Sequence, residues 1–340
     1  MKNLFTILLM VGLFGVVCVQ ATLRKLPYRG NLKPEAVAVN TDGIWAVAGE
    51  KRKNNGNSDF YLVKWNEAKK DWEKKKLIAE DIFDFATEGK VIGSPDGTLL
   101  ILSPKNRTLY KFLDGNLEKI YEFGDKKVSD IAATNANSLF YTEIIKTCSK
   151  TKPTKCGFST HIRKWNSEKK QWEAYGKPLP GLWEKASAGV DTTGLVGGTH
   201  WTITSDGKSN KDSKIFYWNN TDFRWEKISV PVDPTFFINK ISVAKKNDIW
   251  FHLLGSANKV QLFHWDGKKL EKKVDLEAST PDSMFIDLVA IPGRVVGVDF
   301  GGNVYEYGYR KHKIETKPVK SRPVPKVGEK TISPVPLKKR

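Results

Sequence analysis

The sequence has little of the material from which metal sites, disulfide scaffolds or membrane bundles are built. Cysteine occurs 3 times in 340 residues, and the 5 histidines are scattered without the spacing of metal-ligating pairs. Helical periodicity of any length is absent, and after residue 19 no apolar run is long enough to span a membrane. These absences exclude a disulfide-rich domain, a zinc module and an α-helical membrane protein. No metal or other cofactor is predicted.

Arginine is also scarce, whereas lysine is abundant. Arginine accounts for only 10 of the 56 basic residues, and the formal net charge is +18. Lysine carries a compact, hydrated charge and lacks the planar fork with which arginine binds a single carboxylate or phosphate. The composition therefore favours broad attraction to anionic surfaces or polymers. Nucleic acid is disfavoured as a partner, because no known nucleic-acid-binding module is present and the chain has a secretory pattern.

That pattern lies in residues 1–21, which we predict to be a signal peptide. Lys2 precedes an apolar run from Leu4 to Val19, and Val19 and Ala21 are short residues that a signal peptidase accepts. We expect cleavage after Ala21 and secretion to the extracellular space. An uncleaved anchor is the alternative, and it is disfavoured because the run is shorter than the ~20 residues of a spanning helix. Residues 22–32 form a predicted lead-in whose pairing the sequence leaves undecided.

Two cysteines remain after this cleavage. Cys148 and Cys156 flank the stretch "SKTKPTK", and in a secreted protein this spacing predicts a disulfide that closes a loop tip. Two free thiols are the alternative. Sequons begin at Asn106 and Asn219, which makes these two residues candidates for N-glycosylation.

The strongest signal in the sequence is a repeat. Six copies of an aromatic-rich strand, an aromatic anchor, a short polar turn and a further strand follow one another, at intervals of 42 to 53 residues. The anchors are Trp65, Phe112, Trp165, Trp218, Trp265 and Tyr307. Further strand pairs lie upstream of the anchors, as in "AVAVNTDGIWAV". We therefore predict an all-β fold, a six-bladed β-propeller of four-stranded antiparallel blades over residues 33–316, with the anchors between blades. A two-sheet sandwich is the alternative.

Two of the repeats carry a family resemblance. "NKISVAKKNDIWFHLLGSANKVQLFHWDG" (239–267) and "FIDLVAIPGRVVGVDFGGNVYEYG" (285–308) resemble tectonin repeats, and Trp72, Trp172 and Trp225 suit the tryptophan that opens such a repeat. The resemblance implies a secreted, lectin-like propeller that binds lipopolysaccharide, other glycans or phospholipid-rich surfaces. The repeats near Leu100 and Trp201 match this pattern poorly.

In a propeller, the connection between the second and third strand lies on the same face in every blade, and most of these connections are basic here. Such converging loops are a usual place for ligand sites. The candidate ligand-binding residues are Lys51, Arg52, Lys53, Lys150, Lys152, Lys155, Lys208, Lys211 and Lys259. Lysine that only keeps the protein soluble is the alternative. Turns on the opposite face, such as "NEAKKD" and "NSEKKQ", are basic as well.

No catalytic constellation is apparent, so we predict a protein that is not an enzyme. "SPDGT" (94–98) and "TSDGKS" (204–209) are similar to the turn of a sialidase Asp-box, but the complete box is missing. A sialidase-like hydrolase is therefore a minor alternative, and an extracellular protein-interaction scaffold is the main one. The leading prediction is a monomeric, secreted recognition protein that binds carbohydrate or anionic glycan or lipid surfaces. Residues 317–340 form a predicted basic, disordered tail, which either attracts anionic partners or is inert.

Overall fold

The computed structural model describes residues 22–28, 31–52, 57–82, 89–103, 107–124, 126, 128–135, 137–148, 156–188, 194–203, 209–219, 221–228, 236–245, 247–254, 260–276 and 284–308. The predicted signal peptide and tail lie outside these residues. So do seven of the candidate site residues, namely Lys53, Asn106, Lys150, Lys152, Lys155, Lys208 and Lys259. Among the described residues there is no helix that is long and apolar enough to cross a membrane.

The described part of the chain consists of short antiparallel strands. In chain order they are β1 Thr22–Leu26, β2 Leu32–Asn40, β3 Gly43–Lys51, β4 Ser58–Asn66, β5 Asp71–Ile82, β6 Lys90–Gly93, β7 Leu99–Ser103, β8 Thr108–Leu113, β9 Asn116–Glu122, β10 Val128–Asn135, β11 Ser138–Cys148, β12 Cys156–Asn166, β13 Gln171–Ala174, β14 Leu179–Pro180, β15 Lys185–Ala188, β16 Gly194–Ile203, β17 Ser209–Asn219, β18 Arg224–Ile228, β19 Phe237–Lys245, β20 Asp248–Leu254, β21 Val260–Trp265, β22 Leu270–Leu276, β23 Phe285–Ile291, β24 Arg294–Asp299 and β25 Val304–Gly308.

These strands form a propeller of antiparallel sheets. Four consecutive strands make each of the sheets β2–β5, β6–β9, β15–β18 and β19–β22, and the last sheet has the order β1-β25-β24-β23. The first strands of neighbouring sheets contact one another around the centre, and β23 contacts β2 in the same way. The all-β propeller of four-stranded antiparallel blades is therefore confirmed.

The sheet of the third repeat departs from the predicted form. It contains β10–β13 and also β14, which pairs with β12 at Ser159 and Thr160. Strand β12 has 11 residues and β13 has only 4, so β13 leaves part of the β12 edge unpaired. Strand β14 covers that edge. An open strand edge could otherwise pair with a strand of another chain. Five sheets have the predicted four strands. The sheet of the third repeat has five strands, so the prediction of uniformly four-stranded blades is wrong for it.

The predicted lead-in belongs to the propeller. Strand β1 pairs with β25 from Thr22↔Gly308 to Leu26↔Val304 and is the outer strand of the last sheet. The Arg24 guanidinium donates to Glu306 of β25 at 2.6 Å, and it also donates to Glu67 in the turn of the first sheet. The predicted boundary at residue 33 therefore moves to Thr22, because the last sheet obtains its fourth strand from the other end of the described chain.

The core lies between adjacent sheets, as the anchors predicted. Trp65, Phe112, Trp165, Trp218 and Trp265 are buried, and Tyr307 is partly buried. In three sheets the anchor packs against a tryptophan of the next strand. Trp65 and Trp72 lie edge-on with ring centroids 5.4 Å apart, Trp218 and Trp225 do the same, and the Trp165–Trp172 pair is tilted. Such pairs provide large apolar area together with favourable ring geometry. The sheets also meet closely near the centre, where a Cβ added to Gly93 would lie 2.0 Å from the carbonyl oxygen of Val39.

Candidate functional site

The strand order gives the propeller two different faces. Strands one and three of each sheet run in one direction and strands two and four in the other. The connections from the second to the third strand, and from each sheet to the next, therefore lie on one face, which we call the loop face. The connections from the first to the second strand and from the third to the fourth lie on the other face, which we call the turn face. The predicted basic loops belong to the loop face.

On the loop face, the structure describes three of the nine candidate ligand-binding residues. Lys51 ends β3 and is exposed, and it has no ion pair with any described residue. Arg52 follows it and is exposed, but its guanidinium forms an ion pair with Asp59 at 2.7 Å. Lys211 lies in β17, where its backbone is in register with Trp201 of β16. Lys51 and Arg52 are neighbours at the end of one sheet, whereas Lys211 lies in a different sheet, so the three described candidates do not come from one part of the rim.

The predicted disulfide is present at the end of the hairpin β11–β12. Cys148 and Cys156 are directly opposite one another in the strand register, and their sulfurs are bonded at 2.02 Å. The base of the hairpin is held by Thr160, whose hydroxyl donates to Gly181 O at 2.9 Å and accepts from the Trp183 backbone N–H at 2.9 Å. Above this base the side chain of Lys146 is exposed and has no partner among the described residues.

A pocket of about 130 Å³ lies where the first strands of the sheets meet. Each of these strands contributes a charged residue to its lining, namely Glu35, Lys90, Asp130, Lys185, Lys240 and Asp287. All six lie in the half of their strand that begins at the loop face, and Leu102 and Arg107 next to the β7–β8 connection also line the pocket. The pocket therefore belongs to the loop-face half of the propeller, on the side of the predicted basic rim.

Bulges in the backbone help to place these charges. The register of β10, β19 and β23 with the second strand of their sheet shifts immediately before Asp130, Lys240 and Asp287. A bulge of this kind re-aims a side chain relative to the regular pleat. The same device therefore precedes the charged residue of the pocket in three different sheets.

The two aspartates of the pocket are fully engaged in joining sheets. Asp130 accepts from Lys90 Nζ at 2.6 Å and from the backbone N–H of Ala186, in the neighbouring sheet, at 2.8 Å. Asp287 accepts from the backbone N–H of Val37, across the ring closure, at 2.9 Å and from its own neighbour Leu288 at 2.9 Å. Burial raises the pKa of the Asp287 carboxyl, and these donors and Lys240 oppose that rise. Both carboxylates thus have structural partners.

Two lysines of the pocket differ from the aspartates in this respect. Lys185 and Lys240 form no hydrogen bond or ion pair with any described residue, although both are partly buried. Burial lowers the pKa of the Lys240 ammonium to about 8, and the charges of Lys185 and Lys90 add to this, while Asp287 and Asp130 counteract it. The pocket therefore contains a positive charge that the protein itself leaves unneutralised.

His252 lies behind Lys240, in β20. It is completely buried, packs edge-on against Phe285 and has its Nδ1 3.0 Å from the Asn239 amide, while its Nε2 has no partner. Burial, reinforced by the charge of Lys240, lowers the pKa of His252 to about 3, so the imidazole is neutral at pH 7. A neutral, buried imidazole beside Lys240 adds no charge to the pocket. Among the described residues there is no group of histidine, cysteine and acidic side chains that could hold a metal ion.

The turn face is also basic, but several of its lysines are paired with a glutamate of the same hairpin. Lys69 and Lys169 form ion pairs with Glu73 and Glu173 at 2.8 and 2.9 Å, in turns of the same shape in two different sheets. Lys269 is paired with Glu271 in the same way. The hydrogen bonds from these lysines hold the pKa of each of the three glutamates near 2. Much of the positive charge of this face is thus neutralised within single hairpins.

The sequon at Asn219 begins a turn of this face. The Asn219 side chain accepts from the backbone of Thr221 at 2.8 Å and donates to Glu226 at 2.8 Å. Asn66 and Asn166 make the equivalent contacts in turns that have no sequon. The local turn geometry is therefore sufficient to explain Asn219, and its glycosylation stays a prediction.

The charged ring of the pocket was missed at the sequence level, although it left a signal. A single charge stands at or near the beginning of several otherwise apolar first strands, in "KVIG" (90–93), "DIAAT" (130–134), "KASA" (185–188), "KISVA" (240–244) and "DLVA" (287–290). The aromatic anchors lie at the other end of the blades and give no indication of these charges.

No protein-family model and no curated protein matches this chain. Among solved structures, it is similar to one described as YCF48 bound to D1 peptide, at 12% identity and a TM-score of 0.46, over 84% of this chain and 80% of that one. It is also similar to virginiamycin B lyase from Staphylococcus aureus, at 12% identity and a TM-score of 0.41, over 85% of this chain and 99% of that one. At these scores neither similarity carries an argument about function, and the tectonin resemblance stays a prediction.

Proposed function

We propose that this chain is a secreted, non-enzymatic recognition protein that binds carbohydrate or anionic glycan and lipid surfaces, such as lipopolysaccharide, through its loop face. The observation that carries the proposal is the set of unpaired cations on that face. Lys51 and Lys146 on two rim hairpins, and Lys185 and Lys240 in the pocket, have no acidic partner among the described residues.

Unpaired cations on one face favour an anionic partner for a physical reason. A field that the protein does not neutralise concentrates anions near the face and increases their rate of encounter. The propeller supports this role because its strands fix the ends of every loop while the loop sequences differ from sheet to sheet. The disulfide at the hairpin tip is typical of proteins outside the cytosol and supports secretion.

The blade number belongs to the same proposal. We infer one closed ring of six blades, made of the five four-stranded sheets and the sheet that includes β14. Support comes from the contacts of β2, β6, β10, β15, β19 and β23, each with the next in order and the last with the first. A closed ring places six connections of variable sequence around one central pocket.

A glycan and lipopolysaccharide array, probed with the full secreted chain at low and at physiological salt, tests the proposed function. We expect binding to acidic glycans that weakens as the salt concentration rises, because screening acts on exposed charges. Lys51→Gln should weaken this binding, whereas the matched turn-face variant Lys69→Gln should leave it unchanged. Absence of binding at both salt concentrations, or equal effects of the two variants, would contradict the proposal.

A protein-interaction scaffold is the second candidate, and one observation favours it. Phe158 in β12, two residues beyond Cys156, exposes 38% of its surface on the hairpin that the disulfide closes. An aromatic side chain held on a rigid hairpin is a common anchor at protein interfaces. Capture of one stoichiometric secreted or surface protein, insensitive to competing sugars and lost in Phe158→Ser, would favour this function over the first.

A further inference from the structure

The central pocket is small and carries a defined charge. Its volume of about 130 Å³ is enough for one compact group. Seven charged residues line it, of which four are basic and three acidic, so the full charges sum to +1. The basic residues are Lys90, Arg107, Lys185 and Lys240, and the acidic residues are Glu35, Asp130 and Asp287.

The charged residues of the pocket differ in how far they are engaged. Lys90 is neutralised by Asp130, and Arg107 donates to the carbonyl oxygens of Lys126 and Val128 at 3.0 and 2.9 Å. Glu35 and Asp287 are the remaining acidic residues and Lys185 and Lys240 the remaining basic ones, and the two lysines lie on the neighbouring first strands β15 and β19, which contact one another. Each ammonium has three N–H donors, and neither uses one on a described protein acceptor. An ammonium that is partly removed from water without hydrogen-bond acceptors is costly, so a bound anion that accepts from both lysines would stabilise the site.

We propose that Lys185 and Lys240 together bind the carboxylate of a small ligand or of an acidic sugar at the centre of the propeller. One carboxylate matches the excess charge of one and offers two oxygens, one for each ammonium. A phosphate dianion exceeds that charge and lies in the same pocket as Asp130 and Asp287, which repel it. The pocket therefore selects a monoanion over a dianion.

This inference goes beyond the proposed function. A small carboxylate is bound by the pocket alone, without the rim lysines and without a glycan chain. The binding of a glycan along the rim and the binding of a carboxylate in the pocket are therefore separable properties of the chain.

The lysine ammonium groups provide a direct readout. The full chain is reductively dimethylated with ¹³C-formaldehyde, which preserves the lysine charge, and the methyl signals are followed by NMR during titration with acetate, glucuronate and inorganic phosphate. We expect saturable shifts of the signals assigned to Lys185 and Lys240 with acetate and glucuronate, and weaker binding of phosphate at pH 7.

Binding should also depend on pH in one direction. The groups around Lys240 that set this dependence lie on six surrounding strands and, in the case of Arg107, on the connection between β7 and β8. They are Glu35, Lys90, Arg107, Asp130, Lys185, His252 and Asp287. A bound carboxylate favours the protonated ammonium and raises the pKa of Lys240 from about 8. Carboxylate affinity should consequently fall as the pH increases above 8, because the free protein then loses the proton that the ligand requires.

Substitutions complete the test. Lys185→Met and Lys240→Met should each weaken acetate binding about tenfold or more, the loss expected for one hydrogen bond to a charged group. Lys240→Gln provides a polar alternative in case the methionine variant does not fold. The control is Lys245→Met, at the exposed, opposite end of the same strand β19, and it should bind acetate as the unchanged chain does.

Three results would overturn the inference. They are the absence of a saturable shift at Lys185 and Lys240 with any of the three anions, phosphate binding as tight as that of acetate at pH 7, and equal affinity of the Lys240 and Lys245 variants. Lys51→Gln distinguishes the two proposals, since it should weaken glycan binding and leave acetate binding intact. A chain that binds acetate in the pocket but no glycan on the array would support this inference and contradict the proposed function.

Discussion

The loop face and the turn face are built from the same strands and are both rich in lysine, but they use it differently. On the turn face, Lys69 and Lys169 have a glutamate of their own hairpin within 3 Å. On the loop face, Lys51 and Lys146 have no such partner among the described residues, and neither have Lys185 and Lys240 in the pocket. The comparison shows that the net charge of a protein says little about its binding surface until the local partners of each charge are known.

The first prediction concerns the end of the blades where stability is concentrated. Trp165→Ala should lower the free energy of unfolding by about 3–5 kcal/mol, because the ring is buried between Trp172 at 5.2 Å and Tyr121 of the neighbouring sheet at 5.6 Å. Urea denaturation followed by tryptophan fluorescence measures the loss. Lys51→Ala on the loop face is the control and should shift the midpoint little. A similar loss of unfolding free energy in both variants would contradict the expectation that the buried aromatic core contributes more to stability than an exposed lysine of the loop face.

The second prediction concerns the pocket. Lys240→Met should raise the free energy of unfolding by about 1–3 kcal/mol at pH 7, because a partly buried ammonium that has no hydrogen bond or ion pair with a described residue is replaced by an apolar side chain of similar length. The sign follows from a pKa lowered from 10.5 to about 8 in the folded protein. The penalty is fully present below pH 8 and disappears as the pH rises towards 10.5, where the lysine is neutral in both states.

Urea midpoints measured at several pH values between 7 and 11 check this second prediction. The difference between the variant and the unchanged chain should shrink as the pH increases. Lys245→Met should show no such dependence. A Lys240 variant that is less stable than the unchanged chain at pH 7 would mean that the ammonium has a stabilising partner.

A third, smaller effect is expected from the disulfide. Changing Cys148 and Cys156 together to serine should leave the propeller folded and lower the free energy of unfolding by at most about 2.6 kcal/mol, the loop-entropy value for so short a loop. The paired strands on either side of the bond already order the hairpin, which reduces the effect further. Binding of anionic glycans should weaken, because the loop between the cysteines must then be ordered on binding. Loss of folding would show that the disulfide is essential to the blade.

The smallest effect is expected on the turn face. Glu173→Gln removes the partner of Lys169, and we expect no resolvable change in the urea midpoint, because exposed ion pairs contribute little to stability. The variant is informative because it leaves the charge of Lys169 without its glutamate partner, which could change the binding of acidic glycans. If unpaired lysine alone is sufficient for binding, this variant should bind acidic glycans more strongly than the unchanged chain. Unchanged array binding would instead show that the position on the loop face matters.

The fold was predictable because its signal is repeated and local. Six aromatic anchors at similar intervals, each followed by a polar turn, predicted the sheets and the inter-blade core that Trp65, Trp165 and Trp218 form. The fifth strand β14 was not predictable, since only two residues pair and their partner is the edge that the short β13 leaves open. The partner of β1 was undecided because it lies at the far end of the described chain.

The site was only partly predictable. The basic loops were assigned to one face correctly, because strand order alone determines which connections share a face. The pocket was missed because its charged residues are distributed over six sheets, one in each, and no local stretch contains more than one of the six. Only the ring closure, which places β2 beside β23, brings Glu35 and Asp287 to the same pocket.

The pairing of β1 with β25 has a consequence for the order of folding. During synthesis β1 is made first and its partner strand β25 is made last among the described strands, so β1 must wait for almost the whole propeller before it pairs. Contacts between such distant segments form slowly, because closing a long loop is entropically costly. Until then the edges of β25 and β1 are both open to other chains. The same contact that completes the last sheet therefore defines the period in which the nascent protein is most prone to aggregate.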